Sequence, residues 1–152
     1  NICNFYRRVD NLNVIILRPF NIFGKGQKES FLIPKLIKQI KNEDKIIVMD
    51  TKPKRDYLYI KDLTSAIKKS LFYKGKSHIF NIGSGISHSV EDVINILQKL
   101  FKTNLKVEIT QEIRKMELNE TIANIQLANR ELGWRPEYTL ESALREMTKK
   151  LV

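Results

Sequence analysis

Three short patterns in this chain have the residue types and spacing that chemistry needs. The first, Tyr57-Leu-Tyr-Ile-Lys61, has the Tyr-x-x-x-Lys spacing of an acid–base pair in which a lysine lowers the pKa of a tyrosine. Such a pair works on a helix, where four residues rise about 6 Å and share a face; in a strand the same four residues span about 13 Å. The sequence around Tyr57 reads as a strand ending at Asp62, so the pair is not expected to be catalytic. The second, Gly83-Ser-Gly85, lies between a strand pattern and a helix pattern and imitates a dinucleotide-binding loop, but His88 stands where the third glycine belongs. It is expected to be a connecting turn. Gly24-x-Gly26 is weaker, since no helix start follows it at once. The single cysteine, Cys3, has no disulfide partner, and with only His78 and His88 the chain offers no clustered set of zinc ligands.

Charge gives a second indication. Residues 1–76 carry 17 Lys/Arg against 7 Asp/Glu, whereas residues 77–152 carry 10 of each, so the net charge of +10 resides in the first half. Such a field concentrates phosphate-bearing ligands. Lys35, Lys38, Lys41 and Lys45 read first as the solvated side of a helix and its exit loop. No run reaches the roughly 18 apolar residues of a membrane span, and no leader pattern opens the chain. A cytoplasmic protein is the expectation.

The elements that would carry these residues alternate. Ile2, Phe5, Tyr6 and Val9 recur on one helical face. Asn13 to Leu17 is a short β-branched apolar run, as in a parallel strand covered on both faces. Pro34 suits the first turn of a helix to about Lys41; Lys45 to Met49 and Tyr57 to Ile60 read as strands; Asp62 is expected to cap a helix from Leu63 to Phe72. Ser77 to Ile82 reads as a strand. Ser89 with Asp92 predicts a capping box for a helix from Val90 to Phe101, followed by a strand at Leu105 to Ile109. Ile125 to Leu132 reads as a short helix stopped by Gly133, and Thr139 caps a last helix. This is an α/β chain.

Four segments, in order, carry a resemblance: Leu17-Arg-Pro-Phe-Asn-Ile-Phe-Gly-Lys-Gly-Gln27, Arg55-Asp-Tyr-Leu-Tyr-Ile60 followed by Asp62, Phe80-Asn-Ile-Gly-Ser-Gly85, and Leu132-Gly-Trp-Arg-Pro136. They resemble the extended short-chain dehydrogenase/reductase family, the NAD-dependent epimerases and dehydratases of nucleotide sugars. The resemblance implies the last strands and helices of a Rossmann-type parallel sheet plus a small α/β substrate-binding subdomain. It also implies that residues 1–152 are the carboxy-terminal portion of such an enzyme, without the amino-terminal NAD-binding half and its catalytic Tyr/Lys. On that reading the chain alone is expected to be inactive. The expected parent activity is sugar 4-epimerisation, with 4,6-dehydration or reduction, or a non-catalytic nucleotide or nucleic-acid binding module, as alternatives.

By the same resemblance Asn21 would bond the phosphate or sugar, and Pro19 and Phe20 would line the junction of nicotinamide and sugar. Leu32 and Val48 would border the nucleobase, Arg55 and Arg114 would clamp the diphosphate, and Glu117 would reach the ribose. Guanidinium forks suit phosphate oxygens; without the family pattern both arginines would read as surface residues. NAD would be the cofactor, a nucleoside-diphosphate sugar the ligand and a homodimer the parent assembly, with neither membrane nor nucleic acid as partner. Two departures stand out. Met49-Asp-Thr-Lys-Pro-Lys54 replaces the usual Gly-Asp-Gly turn, and Phe31 stands where many members carry a polar residue.

Overall fold

The computed structural model describes residues 2–10, 12–76, 78–110, 118–149 and 151. In chain order the elements are α1 (Ile2–Val9), β1 (Ile16–Pro19), β2 (Asn21–Phe23), α2 (Leu32–Asn42), β3 (Lys45–Val48), β4 (Lys54–Tyr59) and α3 (Ile60–Leu71). There follow β5 (Ile79–Ile82), β6 (Ser87–Ser89), α4 (Val90–Phe101), β7 (Lys106–Ile109), β8 (Glu120–Thr121), α5 (Gln126–Leu132) and α6 (Leu140–Thr148).

Parallel pairing dominates: β1 with β5, β2 with β4, β3 with β7 and β8 with β4, while β4 and β6 run antiparallel. The chain changes sheets at Phe20, between β1 and β2, where the Phe20 amide donates to the Ile82 carbonyl at 2.9 Å. β4 is the centre of the molecule because both its faces are buried. Tyr57 and Tyr59 join a core with Phe23 from β2, Leu36 from α2, Ile46 from β3, Val93 and Leu97 from α4, and Leu144 from α6. Leu58, pointing the other way, joins a second core with Phe80, Ile82, Ala128 and Trp134.

Several local expectations shift. The first strand is Ile16–Pro19, not Asn13–Leu17, because pairing begins where the Ile16 amide meets the His78 carbonyl at 2.7 Å. The partner strand starts at Ile79; Ser77 lies outside the described residues. β4 reaches back through Arg55 and Asp56 to Lys54, since β6 and β8 pair with that charged half. The second helix begins at Leu32 with Phe31 as N-cap, which leaves Pro34 inside the first turn rather than opening it. Asp62 does not cap its own helix. Tyr59 is the N-cap of α3, and the buried Asp62 carboxylate instead accepts the amides of Glu137 at 2.8 Å and Tyr138 at 3.3 Å, tying the chain ahead of α6 to α3. The expected Ser89–Asp92 capping box, Gly133 stop (φ 58°) and Thr139 cap are all formed.

Two glutamines act as surrogate strand segments. Gln39 gives its amide to the Ile47 carbonyl at 3.4 Å and takes the Ile47 amide at 3.3 Å, and Gln98 does the same with Leu105. Among the described residues no helix is long and apolar enough to cross a membrane.

Candidate functional site

The two extended segments that change direction around β4 leave an opening between β2, the start of α2, the exit of β3 and the entry of β4. It is a cavity of about 410 Å³, within the range of small-molecule sites. Asn21, Leu32, Val48 and Arg55, assigned by resemblance to one ligand, all line it. Each arrives on a different element, which is why their sequence separation conceals their proximity.

The cavity has two chemical sides. Leu32, Val48 and Pro53 supply an apolar wall, while Arg55, Lys35 and the amino end of α2 supply positive potential. Phe31, the N-cap of α2, provides no side-chain acceptor for the first-turn amides, so the positive end of that helix is offered to the opening. The Arg55 guanidinium is held in place: its Nη1 donates to the carbonyls of Leu118 at 2.7 Å and Lys54 at 2.8 Å. Asn21 is fixed likewise, its Nδ2 donating to the Asp56 carbonyl at 3.2 Å. Gln27 donates its Nε2 to the Ile22 carbonyl at 3.0 Å and presents the rest of its amide to the same wall.

Pro19 and Phe20 stand apart from this cavity. Pro19 is exposed at the carboxyl end of β1 opposite Ile82, and Phe20 is half-buried beside it. Arg114 and Glu117 lie outside the described residues. The cavity also contains residues that the sequence reading passed over. Lys35, grouped there with solvated lysines, lines it, whereas Lys38 pairs with Glu29 and Lys45 with Glu108. Asp50 lines it too, with its Oδ1 accepting the Lys52 amide at 2.9 Å. The signal for Lys35 was available: it stands three residues past Leu32, on the first turns of a helix whose start was already assigned to the ligand.

Tyr57 and Lys61 diverge because β4 ends at Tyr59 and Lys61 falls in α3. Tyr57 is buried in β4, where desolvation pushes its hydroxyl up to about 12 against the opposing effect of Arg55. Lys61 lies on the exposed side of α3, bonded to Glu146. A phenol so raised is protonated at neutral pH and is no general base.

Nor is the Gly83-x-Gly85 turn free to act as a dinucleotide-binding loop. It spends its Ser84 and Gly85 amides on the Asp56 carboxylate, at 2.6 and 2.9 Å, so neither is available to a phosphate.

The parallel α/β scaffold is that of the extended short-chain dehydrogenase/reductases, NAD-dependent enzymes that epimerise, dehydrate or reduce nucleotide sugars. The chain belongs to the family described as GDP-mannose 4,6 dehydratase, whose pattern matches residues 1–147. It is 37% identical over 142 residues to the dTDP-4-dehydro-6-deoxyglucose reductase of Escherichia coli, covering 90% of this chain and 44% of that protein. Among solved structures it superposes on RMD from Pseudomonas aeruginosa complexed with NADPH (TM-score 0.89, 25% identity, 97% of this chain and 51% of that one). It also matches UDP-glucuronic acid 4-epimerase from Bacillus cereus in complex with UDP-glucuronic acid and NAD (TM-score 0.82, 25% identity, 99% and 50%). The chain thus spans about half the length of the relatives it matches.

Proposed function

We propose that this chain is the carboxy-terminal, nucleotide-sugar-binding portion of an NAD-dependent enzyme acting on the sugar of a nucleoside-diphosphate sugar. The observation that carries this reading is the convergence of Asn21, Leu32, Val48, Lys35 and Arg55 on one cavity, apolar on one side and cationic on the other. Leu32, Val48 and Pro53 would sandwich the base. Arg55, Lys35 and the first amides of α2 would take the diphosphate, where charge-assisted bonds are about twice as strong as neutral ones. Asn21 would then meet the sugar side, with Pro19 and Phe20 beyond it toward the cofactor. Arg114 and Glu117 would complete the diphosphate and ribose contacts. Cofactor chemistry and proton transfer are not assigned to any described residue; their work is binding and orientation.

Sugar 4-epimerisation is the first reading of the reaction, supported by the B. cereus epimerase match. Reduction of a 4-dehydro sugar is the second, favoured by the E. coli relative at 37% identity. Arg55→Ala decides the binding reading: titrating UDP, dTDP, CDP and GDP into the intact protein should give a Kd raised by about tenfold to a hundredfold, the value of one charged bond. An unchanged Kd, or affinity that follows salt steeply without preference for nucleotide over inorganic phosphate, refutes it. Net consumption of NADPH with a 4-dehydro sugar nucleotide would favour reductase over epimerase.

A further inference from the structure

Asp56 is completely buried, and it faces away from the cavity that its neighbours Arg55 and Tyr57 line. A carboxylate in such a place requires donors on every side. It has them: Ser84 N at 2.6 Å, Ser84 Oγ at 2.7 Å, Gly85 N at 2.9 Å and Ala123 N at 3.1 Å. No cation is needed, and the two segments that supply the donors, residues 84–85 and 123, come from well separated parts of the chain.

The position of Asp56 in the sheet shows what this arrangement holds. One edge of β4 changes partner there, from β8, paired at Lys54 and Arg55, to β2, paired from Tyr57 to Tyr59. Asp56 falls in the gap between the two ladders. Its carbonyl receives the Asn21 side chain at 3.2 Å, and its carboxylate fastens the chain just after β8 and the turn after β5. Gly83 allows the approach, since a Cβ at that position would stand 2.6 Å from the Asp56 carboxylate and 2.4 Å from the Ala123 side chain. Arg55 on one side of the gap and Asn21 across it are two of the polar groups assigned to the ligand.

We propose that Asp56 is a positioning residue for the ligand site: its buried carboxylate sets the junction of β2, β4 and β8, and through it the placement of Arg55 and Asn21. The inference rests on the nucleotide-sugar reading of the cavity. Displaced ligand groups lose their hydrogen-bond geometry, so the effect belongs in affinity as well as in stability.

The test is calorimetric titration of the intact protein with UDP, dTDP, CDP and GDP, using the tightest binder throughout and working well below each variant's melting temperature. Asp56→Ala should raise Kd by about tenfold or more. Asp62→Ala, which also removes a buried acceptor of two backbone amides but lies away from the cavity, should lower the melting temperature and leave Kd within about twofold. Arg55→Ala should cost less affinity in the Asp56→Ala background than alone, because Arg55 is no longer placed; a merely structural Asp56 would leave the two effects additive. Should Asp56→Ala not fold, Ser84→Ala removes one of the four donors from a half-exposed site and should raise Kd by about fivefold. Wild-type affinity in either variant, or strict additivity with Arg55→Ala, overturns the proposal. Failure of all four nucleotides to bind the wild-type protein overturns the binding reading itself, and the positioning role with it.

Discussion

Trp134 provides a quantitative test of how the second core is held together. It is fully buried, and its indole Nε1 donates to the Asp62 carbonyl at 3.1 Å and to Ser65 Oγ at 2.8 Å. Trp134→Phe keeps an aromatic ring in place but removes the donor and about three buried atoms, worth roughly 2 to 2.5 kcal/mol at about 0.8 kcal/mol per carbon. The lost hydrogen bond adds about 1 kcal/mol. The Asp62 carbonyl is not orphaned, because Ser65 Oγ also donates to it at 2.8 Å, so no further desolvation penalty is due. The total is about 3 kcal/mol, or a melting temperature lower by about 6–12 °C for a protein of this size class. Urea unfolding followed by far-ultraviolet circular dichroism is the assay, since the substitution removes the sole tryptophan of the sequence and with it the fluorescence signal. Ser65→Ala should cost less than Trp134→Phe, and the double variant should cost measurably less than the sum. A loss below about 1 kcal/mol for Trp134→Phe would refute the reasoning, because it would mean that neither the packing nor the indole donor stabilises this core.

Other perturbations address separate features. Burial holds the Asp62 carboxyl above its ordinary value, against the lowering effect of the Glu137 and Tyr138 amides. Its native pKa being raised, the stabilising contribution is complete below the unfolded value and is lost as pH rises through the native one. Relative to Asp62→Asn, wild-type stability should therefore fall as pH climbs from about 3 toward neutrality; a pH-independent gap between the two proteins would count against this. At the start of α4, Ser89 Oγ accepts the Asp92 amide at 3.0 Å while the Asp92 carboxylate accepts the Ser89 amide at 2.8 Å. Ser89→Ala should lower stability by about 1 kcal/mol in chemical denaturation, and no loss would show that the box is idle.

The parts of this architecture governed by local rules were legible in the sequence. The capping box of α4, the Gly133 stop and the Thr139 cap each depend on a few neighbouring residues, and each forms where expected. Misreadings arose where a residue serves a distant segment. Asp62 has the residue type of an N-cap but spends its carboxylate on residues 137 and 138. Lys54-Arg55-Asp56 looks too charged for a central strand, yet each of its edges has a partner that only tertiary structure brings there. The site divides in the same way. Motif resemblance singled out Asn21, Leu32, Val48 and Arg55, but it passed over Lys35 and Asp50, because a lysine on a helix and an aspartate in a loop look the same in sequence whether they face solvent or a cavity.

The bond between Gln39 and Ile47 has a consequence for how copies of this molecule meet. Within β3, Val48 turns its carbonyl toward the strand on its paired side, where it receives the Thr110 amide at 3.0 Å, so Ile47 must present its amide and carbonyl to the opposite, outer edge. A two-stranded sheet with a bare outer edge is a template for recruiting a foreign strand. A primary amide carries the same donor and acceptor as a peptide group, so Gln39 fills the slot that an intruding chain would use, from inside its own helix. The Ile47 edge groups are thereby already paired within the chain. Replacing Gln39 with glutamate, which has no donor for the Ile47 carbonyl, would leave that carbonyl open at the edge.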